Sequence, residues 1–323
     1  MAISVETKTR QSFLPVPLAT LCLTADLPVD VFGCLHQGSE PILLRRRNVE
    51  VADDEFPRLL ESGVETVYIP RDQADIFQKY LQDNVRNIIS NEEIPVERRL
   101  DFLNNTGRTM LQELFRADNL DKTVESVGVL SEHMTTLISQ DSVIASEMFD
   151  VLRHDYHTYT HTYNVASYVM LLAQGMGIAD ETELKAISVG GLLHDLGKLR
   201  IPNHVLTKKE RLTDAEWKLI QRHPTDGFVA LAERSELSYE QLMMVYQHHE
   251  KLDGSGYPVG IDGDEIHFYA QICTVVDIFE ALTSNRPYRN PNTRKEAFEI
   301  LEQMVPLKLN GEMVRCWKAL MMP

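Results

Sequence analysis

The segment Ala186-Ile-Ser-Val-Gly-Gly-Leu-Leu-His-Asp-Leu-Gly-Lys198 ends an apolar run on a histidine and an aspartate. Its apolar residues predict a buried helix that runs from Glu183 to Leu193 and delivers His194 and Asp195 to the edge of a core. Polar side chains in that position need partners, because an unpaired buried polar group costs several kcal/mol. A metal ion is one such partner, and the backbone is another.

Further histidines and one more carboxylate share this setting at the ends of apolar helices or inside them. They are His161, His223, His248, His249 and Asp277. Each of these alone is explained most simply as a core residue bonded to the backbone. Together with His194 and Asp195 they form a ligand set for two octahedral metals, for which imidazole and carboxylate favour iron or manganese over nickel or zinc. Consecutive helical residues point about 100° apart, so His248 and His249 fit two adjacent ions better than one.

The sequence predicts three parts along the chain. The predicted fold class is mainly α. Residues 1–85 form a small α+β regulatory module, with a helix over residues 53–62 and an alternating strand over residues 64–69. Residues 86–140 form a helical linker, and residues 141–323 form an all-helical domain without an alternating strand. The long linking helices suit a homodimer, and ordinary packing within one chain explains them equally well.

Charge and composition limit the partners and the compartment. The 323 residues contain 32 Lys and Arg against 48 Asp and Glu, a formal net charge of −16. We therefore expect no binding to nucleic acid polymers, which requires a basic field, whereas a small anionic substrate needs only a local group of cations. No run approaches the roughly 20 apolar residues of a membrane span, and the N-terminus lacks a signal-peptide core. Four scattered cysteines suit a reducing cytoplasm.

Two motifs together resemble a known family. His194-Asp-Leu-Gly-Lys198 and His248-His-Glu-Lys-Leu-Asp-Gly-Ser-Gly-Tyr-Pro258 resemble the HD-GYP family, a branch of the HD-superfamily metal phosphohydrolases. Other segments also stand where that family has them: Ile201-Pro202, Leu212-Thr213, Glu216-Trp217, His223-Pro224 and Ala281–Arg289. The resemblance covers roughly residues 150–323, and residues 14–85 resemble the small module that often precedes such domains.

The resemblance implies a role for each matching residue. The implied metal ligands are His161, His194, Asp195, His223, His248, His249 and Asp277, with Asp195 bridging two ions. Lys198 matches a lysine beside the bridging hydroxide and the scissile phosphate, and Arg286 and Arg289 match residues that hold the substrate phosphates. Gly256 and Tyr257 belong to the loop linked to substrate access and partner binding. Asp155 matches a position for acid or base assistance.

The sequence departs from the family pattern at a few positions. His157 stands where members with three metals have Glu and many members with two have Tyr, so a third metal is an alternative that we do not favour. Glu280 replaces the usual Asp, and Gln271 replaces the usual Arg. None of these changes removes a ligand of a dinuclear site.

The implied activity is hydrolysis of cyclic di-GMP to linear pGpG, with GMP as a further product, in bacterial signalling. Two cations about 3.5–4 Å apart neutralise a phosphodiester, lower the pKa of a bridging water and orient its in-line attack. Two alternatives stay open. One is a low-activity sensor or interaction module, since family members bind diguanylate cyclase (GGDEF) domains. The other is a hydrolase of a different cyclic dinucleotide, such as cyclic GMP-AMP.

Overall fold

The structure is a computed structural model that describes most of the chain. The described residues are 13–21, 27–34, 40–49, 55–117, 119–140, 145–152, 158–285 and 290–322. The chain divides into two compact units, Met1–Met110 and Leu111–Pro323. The sequence-predicted boundaries near residues 85 and 140 stay predictions.

The N-terminal unit contains a four-stranded sheet in the order β1-β4-β2-β3, in which all neighbouring strands are antiparallel. The strands are β1 (Phe13–Pro17), β2 (Val31–Gly33), β3 (Ile42–Arg45) and β4 (Thr66–Pro70). Alternate residues of β1 and β4 are buried, namely Leu14, Val16, Val67 and Ile69. This alternation is what a sheet with one covered face requires, and the strand predicted over residues 64–69 is confirmed as β4.

Two helices lie wholly in this unit, α1 (Glu55–Glu61) and α2 (Ala74–Ile89). A third helix, α3 (Val96–Ala117), begins in this unit and continues past Met110, its last residue. Helix α1 agrees with the predicted helix over residues 53–62. Gly63 lies just past its end with a φ of +90°, a left-handed conformation that glycine adopts without steric cost. Helix α2 buries one face through Phe77, Leu81 and Val85.

The C-terminal unit is built from helices around a central group of three. The helices are α4 (Leu120–Gln140), α5 (Ala145–Leu152), α6 (Thr158–Gly175), α7 (Glu181–Leu193), α8 (Asn203–Leu206), α9 (Asp214–Ile220), α10 (His223–Leu231), α11 (Tyr239–Gln247), α12 (Phe268–Thr283), α13 (Arg294–Met304) and α14 (Gly311–Met321). Helix α6 packs against α7 and α12. Among the described residues of this unit, the only β-pairing is an isolated bridge between Asp253 and Asp262. The predicted fold class, mainly α with a small α+β module before a helical domain, is confirmed.

Local sequence explains where several of these helices begin. The segment Thr213-Asp-Ala-Glu216 has the spacing that predicts a capping box, and Thr213 and Glu216 form that box at the start of α9. It satisfies two backbone N–H groups that the helix leaves unpaired. Helix α6 is buried on all sides from Thr160 to Ala173, as expected for an element at the centre of a unit. Tyr168 of this helix packs on Phe279 and Trp317, with ring centroids 6.1 and 5.2 Å apart.

Helix α4, the last helix of the predicted linker, packs against α7 within the C-terminal unit. The Ser131 hydroxyl donates to the carbonyl oxygen of Lys185 at 2.9 Å, and Lys185 forms an ion pair with Glu132. Within the residues that the structure describes, no helix has both the length and the apolar composition of a membrane span.

Candidate metal centre

Five segments of the C-terminal unit bring the predicted ligands together. His161 lies on α6, and Asp277 lies on α12. His194 and Asp195 follow α7 directly and precede a 3₁₀ helix, Leu196–Arg200. His223 is the first residue of α10.

His248 and His249 follow α11, which ends at Gln247, although the apolar pattern of the sequence predicts a helix from Tyr239 to Glu250. The His248 ring faces the carbonyl oxygens of Met244 and Val245, while the Glu250 amide turns back to the Gln247 carbonyl. These contacts end the helix and direct both histidines towards the cluster.

Two glycines allow the segments to approach closely. A Cβ atom on Gly191 would lie 2.9 Å from the Cα of Ala166 in α6, and one on Gly197 would lie 2.0 Å from the carbonyl oxygen of His223. Any side chain at Gly197 would push the 3₁₀ helix away from α10. The absence of side chains at these positions therefore lets Asp195 reach His161 on one side and His223 on the other.

The carboxylate of Asp195 stands between two groups of imidazoles. Its Oδ1 lies 3.1 Å from Nε2 of His223 and 3.9 Å from Nε2 of His248. Its Oδ2 lies 3.3 Å from Nε2 of His161 and 3.4 Å from Nε2 of His194. Each oxygen thus faces a different group, which is the arrangement a bridging carboxylate needs.

Two candidate subsites follow from this geometry. Subsite A consists of His161, His194 and Asp195, and subsite B consists of Asp195, His223, His248 and His249. His248 and His249 therefore lie in one subsite and not in two as helical geometry predicts, because the helix ends at Gln247 before either residue. Asp277 also touches both subsites, because its Oδ1 lies 3.2 Å from Nε2 of His161 and its Oδ2 lies 3.8 Å from Nδ1 of His249.

The hydrogen bonds of the imidazoles fit a cation at the centre. Nδ1 of His194 and Nδ1 of His223 each lie 2.7 Å from a backbone carbonyl oxygen, and Nδ1 of His248 lies 3.0 Å from another. A carbonyl only accepts, so these Nδ1 atoms carry the protons and the Nε2 lone pairs face inward.

Several inward-facing atoms then lack a proton donor. Nε2 of His223 and Nε2 of His248 face each other at 3.1 Å, and Nε2 of His194 and Oδ1 of Asp195 are buried without a hydrogen-bond partner. A divalent cation would satisfy these acceptors together, so the residues fit the metal centre that the sequence predicts.

The electrostatics of the cluster keep Asp195, His248 and His249 in the forms that bind metals. Burial alone would raise the pKa of Asp195, but Lys198 and His194 hold it well below its usual range. Burial lowers the pKa of His249 to about 3 despite the opposing charge of Asp277. Burial also lowers the pKa of His248, and the neighbouring His249 lowers it further. Both histidines are therefore neutral at physiological pH, which metal ligation requires.

His161 differs from the other histidines because its Nδ1 faces a carboxylate. Glu280 Oε2 lies 2.5 Å from this nitrogen. Burial acts to lower the pKa of His161, but Glu280 and hydrogen bonds with Asp195 and Asp277 raise it well above its usual value. The sequence signalled Glu280 only as a departure from a family pattern, and no local feature revealed its contact with His161.

Lys198 and the loop after His249 border the cluster. The ammonium of Lys198 lies 2.5 Å from Oδ2 of Asp195 and remains partly exposed. The ring of Tyr257 lies over that of His249, with centroids 4.6 Å apart and planes tilted by 30°. A Cβ atom on Gly256 would lie 2.4 Å from the Cα of Glu250, so this glycine is required for close packing of the loop.

The buried side chain of Glu250 binds the same loop through hydrogen bonds. Its carboxylate accepts hydrogen bonds from the amides of Val259 at 2.8 Å and Gly260 at 3.0 Å. Because Glu250 is buried and follows His249 directly, its hydrogen bonds connect the loop to the segment that carries the predicted ligands His248 and His249.

The structure brings all seven predicted ligands and Lys198 into one place. Their roles stay predictions, as does the role of Tyr257. Four other predicted site residues lie outside the described residues, namely Asp155, His157, Arg286 and Arg289.

Comparisons with known proteins agree with this geometry. A family model described as HD domain matches residues 143–312. The 3'3'-cGAMP-specific phosphodiesterase 1 of Vibrio cholerae is 37% identical over 240 residues, which cover 73% of this chain and 51% of that protein. A cyclic di-GMP phosphodiesterase of Thermotoga maritima is 30% identical over 255 residues, which cover 76% of this chain and 68% of that protein.

A solved structure shares the fold along nearly the whole chain. Bd1817, an HDG"Y"P protein from Bdellovibrio bacteriovorus, aligns with a TM-score of 0.71 at 17% identity and covers 96% of this chain and 100% of that chain. At this identity the likeness shows the fold alone. The chain spans about half the length, or less, of the first curated relatives that it matches.

Proposed function

The chain belongs to the HD domain family, and we propose that it is a metal-dependent phosphodiesterase that hydrolyses cyclic di-GMP. One observation carries the proposal. The buried carboxylate of Asp195 stands between two groups of imidazoles whose inward-facing nitrogens lack proton donors. An apolar core gains nothing from such an arrangement, whereas a dinuclear metal centre requires it.

The ligand chemistry supports two divalent ions, iron or manganese. Subsite A offers imidazole and carboxylate, subsite B offers three imidazoles and the shared carboxylate, and neither subsite contains a thiolate. When bound, such ions neutralise the phosphodiester, lower the pKa of a bound water and orient its attack. A third ion would need His157, and we do not favour it.

The chain's own residues supply binding and positioning. Lys198 lies beside the bridging carboxylate and is partly exposed, so its ammonium can stabilise negative charge that develops on the phosphate oxygens. We assign Arg286 and Arg289 to the substrate phosphates and Asp155 to proton transfer, on the resemblance of the sequence alone. The Tyr257 ring packs on His249 and also meets the rings of Trp217 and His223 at steep angles. We assign the part of this ring that remains exposed to contact with a guanine base.

A second candidate substrate is cyclic GMP-AMP. It is favoured by the 37% identity to a cGAMP-specific phosphodiesterase of Vibrio cholerae, which extends over 240 residues. Both substrates present the same phosphodiester to the cluster, and they differ in one base, so the choice between them depends on contacts away from the metal ions.

The test is a direct assay of the purified full chain. Protein loaded anaerobically with iron or with manganese is incubated with cyclic di-GMP and, separately, with 3'3'-cGAMP, and the products are separated by anion-exchange chromatography. We expect linear pGpG as the first product, with cyclic di-GMP turned over faster than cGAMP. Metal-free protein is the control. A chain that holds two metals and cleaves neither compound would contradict the proposal.

Regulation and partners are the remaining part of the proposal. We propose that the N-terminal unit regulates the phosphodiesterase, as its place before the catalytic unit suggests. Diguanylate cyclase domains and a second copy of the chain stay as predicted partners.

A further inference from the structure

The histidines of the cluster are oriented by two kinds of acceptor. His194, His223 and His248 direct Nδ1 to backbone carbonyl oxygens. His161 alone among these four directs Nδ1 to a carboxylate, that of Glu280 on α12, 119 residues further along the chain. A carboxylate is a stronger acceptor than a carbonyl and carries a full negative charge.

Glu280 is itself held in place on its other oxygen. Its Oε1 accepts a hydrogen bond from the Asn164 side chain at 3.1 Å and another from the Ser284 hydroxyl. Asn164 also donates to the carbonyl oxygen of Leu152. Glu280 is only 1% exposed, so the cost of burying its charge must be offset by these donors and by His161.

We propose that Glu280 is a positioning residue that selectively strengthens subsite A by orienting His161. The inference rests on the proposed metal centre. With Nδ1–H donated to Glu280, the Nε2 lone pair of His161 faces the space between Asp195 and Asp277, from which it lies 3.3 and 3.2 Å. The carboxylate fixes the ring plane and the tautomer, and its charge makes the imidazole a stronger ligand.

Subsite B does not share this support. His223 and His248 are oriented by carbonyl oxygens of their own local turns, and Glu280 has no described contact with either of them. Loss of the Glu280 carboxylate should therefore weaken one of two metal positions and leave the other intact. A residue needed only for folding would affect both positions alike.

Glutamine cannot replace Glu280 without a conflict. If its amide oxygen faces Nδ1–H of His161, its NH₂ group faces the NH₂ group of Asn164, donor against donor. If it is turned the other way, NH₂ faces Nδ1–H. The substitution Glu280→Gln keeps the shape and removes both the charge and one acceptor, whereas Glu280→Asp keeps the charge on a side chain that is one methylene shorter.

The experiment measures metal binding rather than turnover. The full chain is stripped of metal and titrated anaerobically with Mn²⁺ and with Co²⁺, with affinities from calorimetry, stoichiometry from elemental analysis, and ligand geometry from the visible Co²⁺ spectrum. The variants are Glu280→Gln and Glu280→Asp. The matched control is Glu183→Gln, a glutamate on α7 that accepts from the Tyr269 hydroxyl away from the cluster.

We expect wild type and Glu183→Gln to bind two ions each. The affinity for each ion should be the same in the two proteins. Glu280→Gln should keep one position unchanged and bind the second about 10–100-fold more weakly, the range for losing a partner of a metal-bound histidine. Glu280→Asp should recover part of that loss.

Other outcomes separate this inference from the proposed function. Two ions bound by Glu280→Gln at wild-type affinity would overturn the inference alone. Equal weakening of both positions, or unfolding of the metal-free Glu280→Gln protein, would assign Glu280 to folding and also overturn it. A wild-type chain that binds no metal would contradict the proposed function itself, and with it this inference.

Discussion

The centres of the two units are built on different principles. The N-terminal unit closes around twelve side chains that are all apolar and nearly all inaccessible: Leu14, Val16, Leu18, Leu21, Leu27, Val29, Val31, Phe56, Val67, Ile69, Phe77 and Leu81. The C-terminal unit places His194, Asp195, His223 and His248 at its centre, each no more than 2% exposed. The first centre is complete as it stands, because apolar burial needs no partner. The second contains acceptors that a cation must satisfy.

The largest expected effect follows from removing the Asp195 carboxylate, which we propose bridges the two ions. We expect Asp195→Ala to lower bound metal from about two ions per chain to less than one. Turnover should fall about a thousandfold or more, because the metals supply several kcal/mol of transition-state stabilisation. Elemental analysis and the product assay measure the two effects.

Folding should change little in this variant, because the apolar helices α6, α7 and α12 remain. Asp150→Ala, at an exposed position on α5, is the matched control and should keep metals and activity. Full metal content in Asp195→Ala would show that the carboxylate does not bridge the ions.

The second test separates metal binding from charge stabilisation within the C-terminal centre. We expect Lys198→Ala to keep both metals, because an ammonium is not a ligand. The kcat should fall about 10–1000-fold, the range for losing one contact with transition-state charge. Lys185→Ala, on the exposed side of α7, is the control and should have a wild-type kcat. If Lys198→Ala lost its metals, the ion pair with Asp195 would have to be the main role of this lysine.

The amino-acid sequence predicted the parts of both centres that depend on local pattern. Alternation identified β4, the Thr213–Glu216 pair identified the start of α9, and apolar runs ending in histidine identified the cluster. Each of these features lies within a few residues of the chain, where backbone preferences and periodicity act.

Features that depend on contacts between residues far apart in the chain could not be predicted from the sequence. The 119-residue separation between His161 and Glu280 leaves no local signal for their hydrogen bond. The end of α11 at Gln247 depends on the His248 ring and on the loop that packs beside it, whereas helical periodicity alone carried the prediction to Glu250.

The third test acts on the apolar centre and should leave the metal centre intact. Leu14 is fully buried in β1, so we expect Leu14→Ala to reduce the free energy of unfolding of the N-terminal unit by about 2–5 kcal/mol. Urea unfolding measures the loss, and elemental analysis should still find two metals per chain. Leu60→Ala, at a position 41% exposed on α1, should cost less than about 0.5 kcal/mol. Metal loss in Leu14→Ala would show that the two centres are not independent.

The smallest effect concerns an ion pair at the surface, where water already satisfies the charges that the buried cluster must satisfy internally. Lys208 donates to both oxygens of Glu216, at 2.7 and 2.6 Å. The hydrogen bond from Lys208, helped by Thr213, lowers the pKa of Glu216 to about 2. A carboxyl whose pKa is lower in the folded chain stabilises the fold above its unfolded pKa of about 4.5, and that contribution is lost as the pH falls towards 2. We therefore expect Lys208→Met to lower the urea midpoint slightly at pH 7, and the difference from wild type to shrink between about pH 5 and pH 3.

The control is Lys209→Met, at the exposed neighbouring position, whose urea midpoint should not differ from wild type in this pH-dependent way. A difference that stayed constant with pH would mean that Lys208 acts through packing of its methylene groups rather than through its charge.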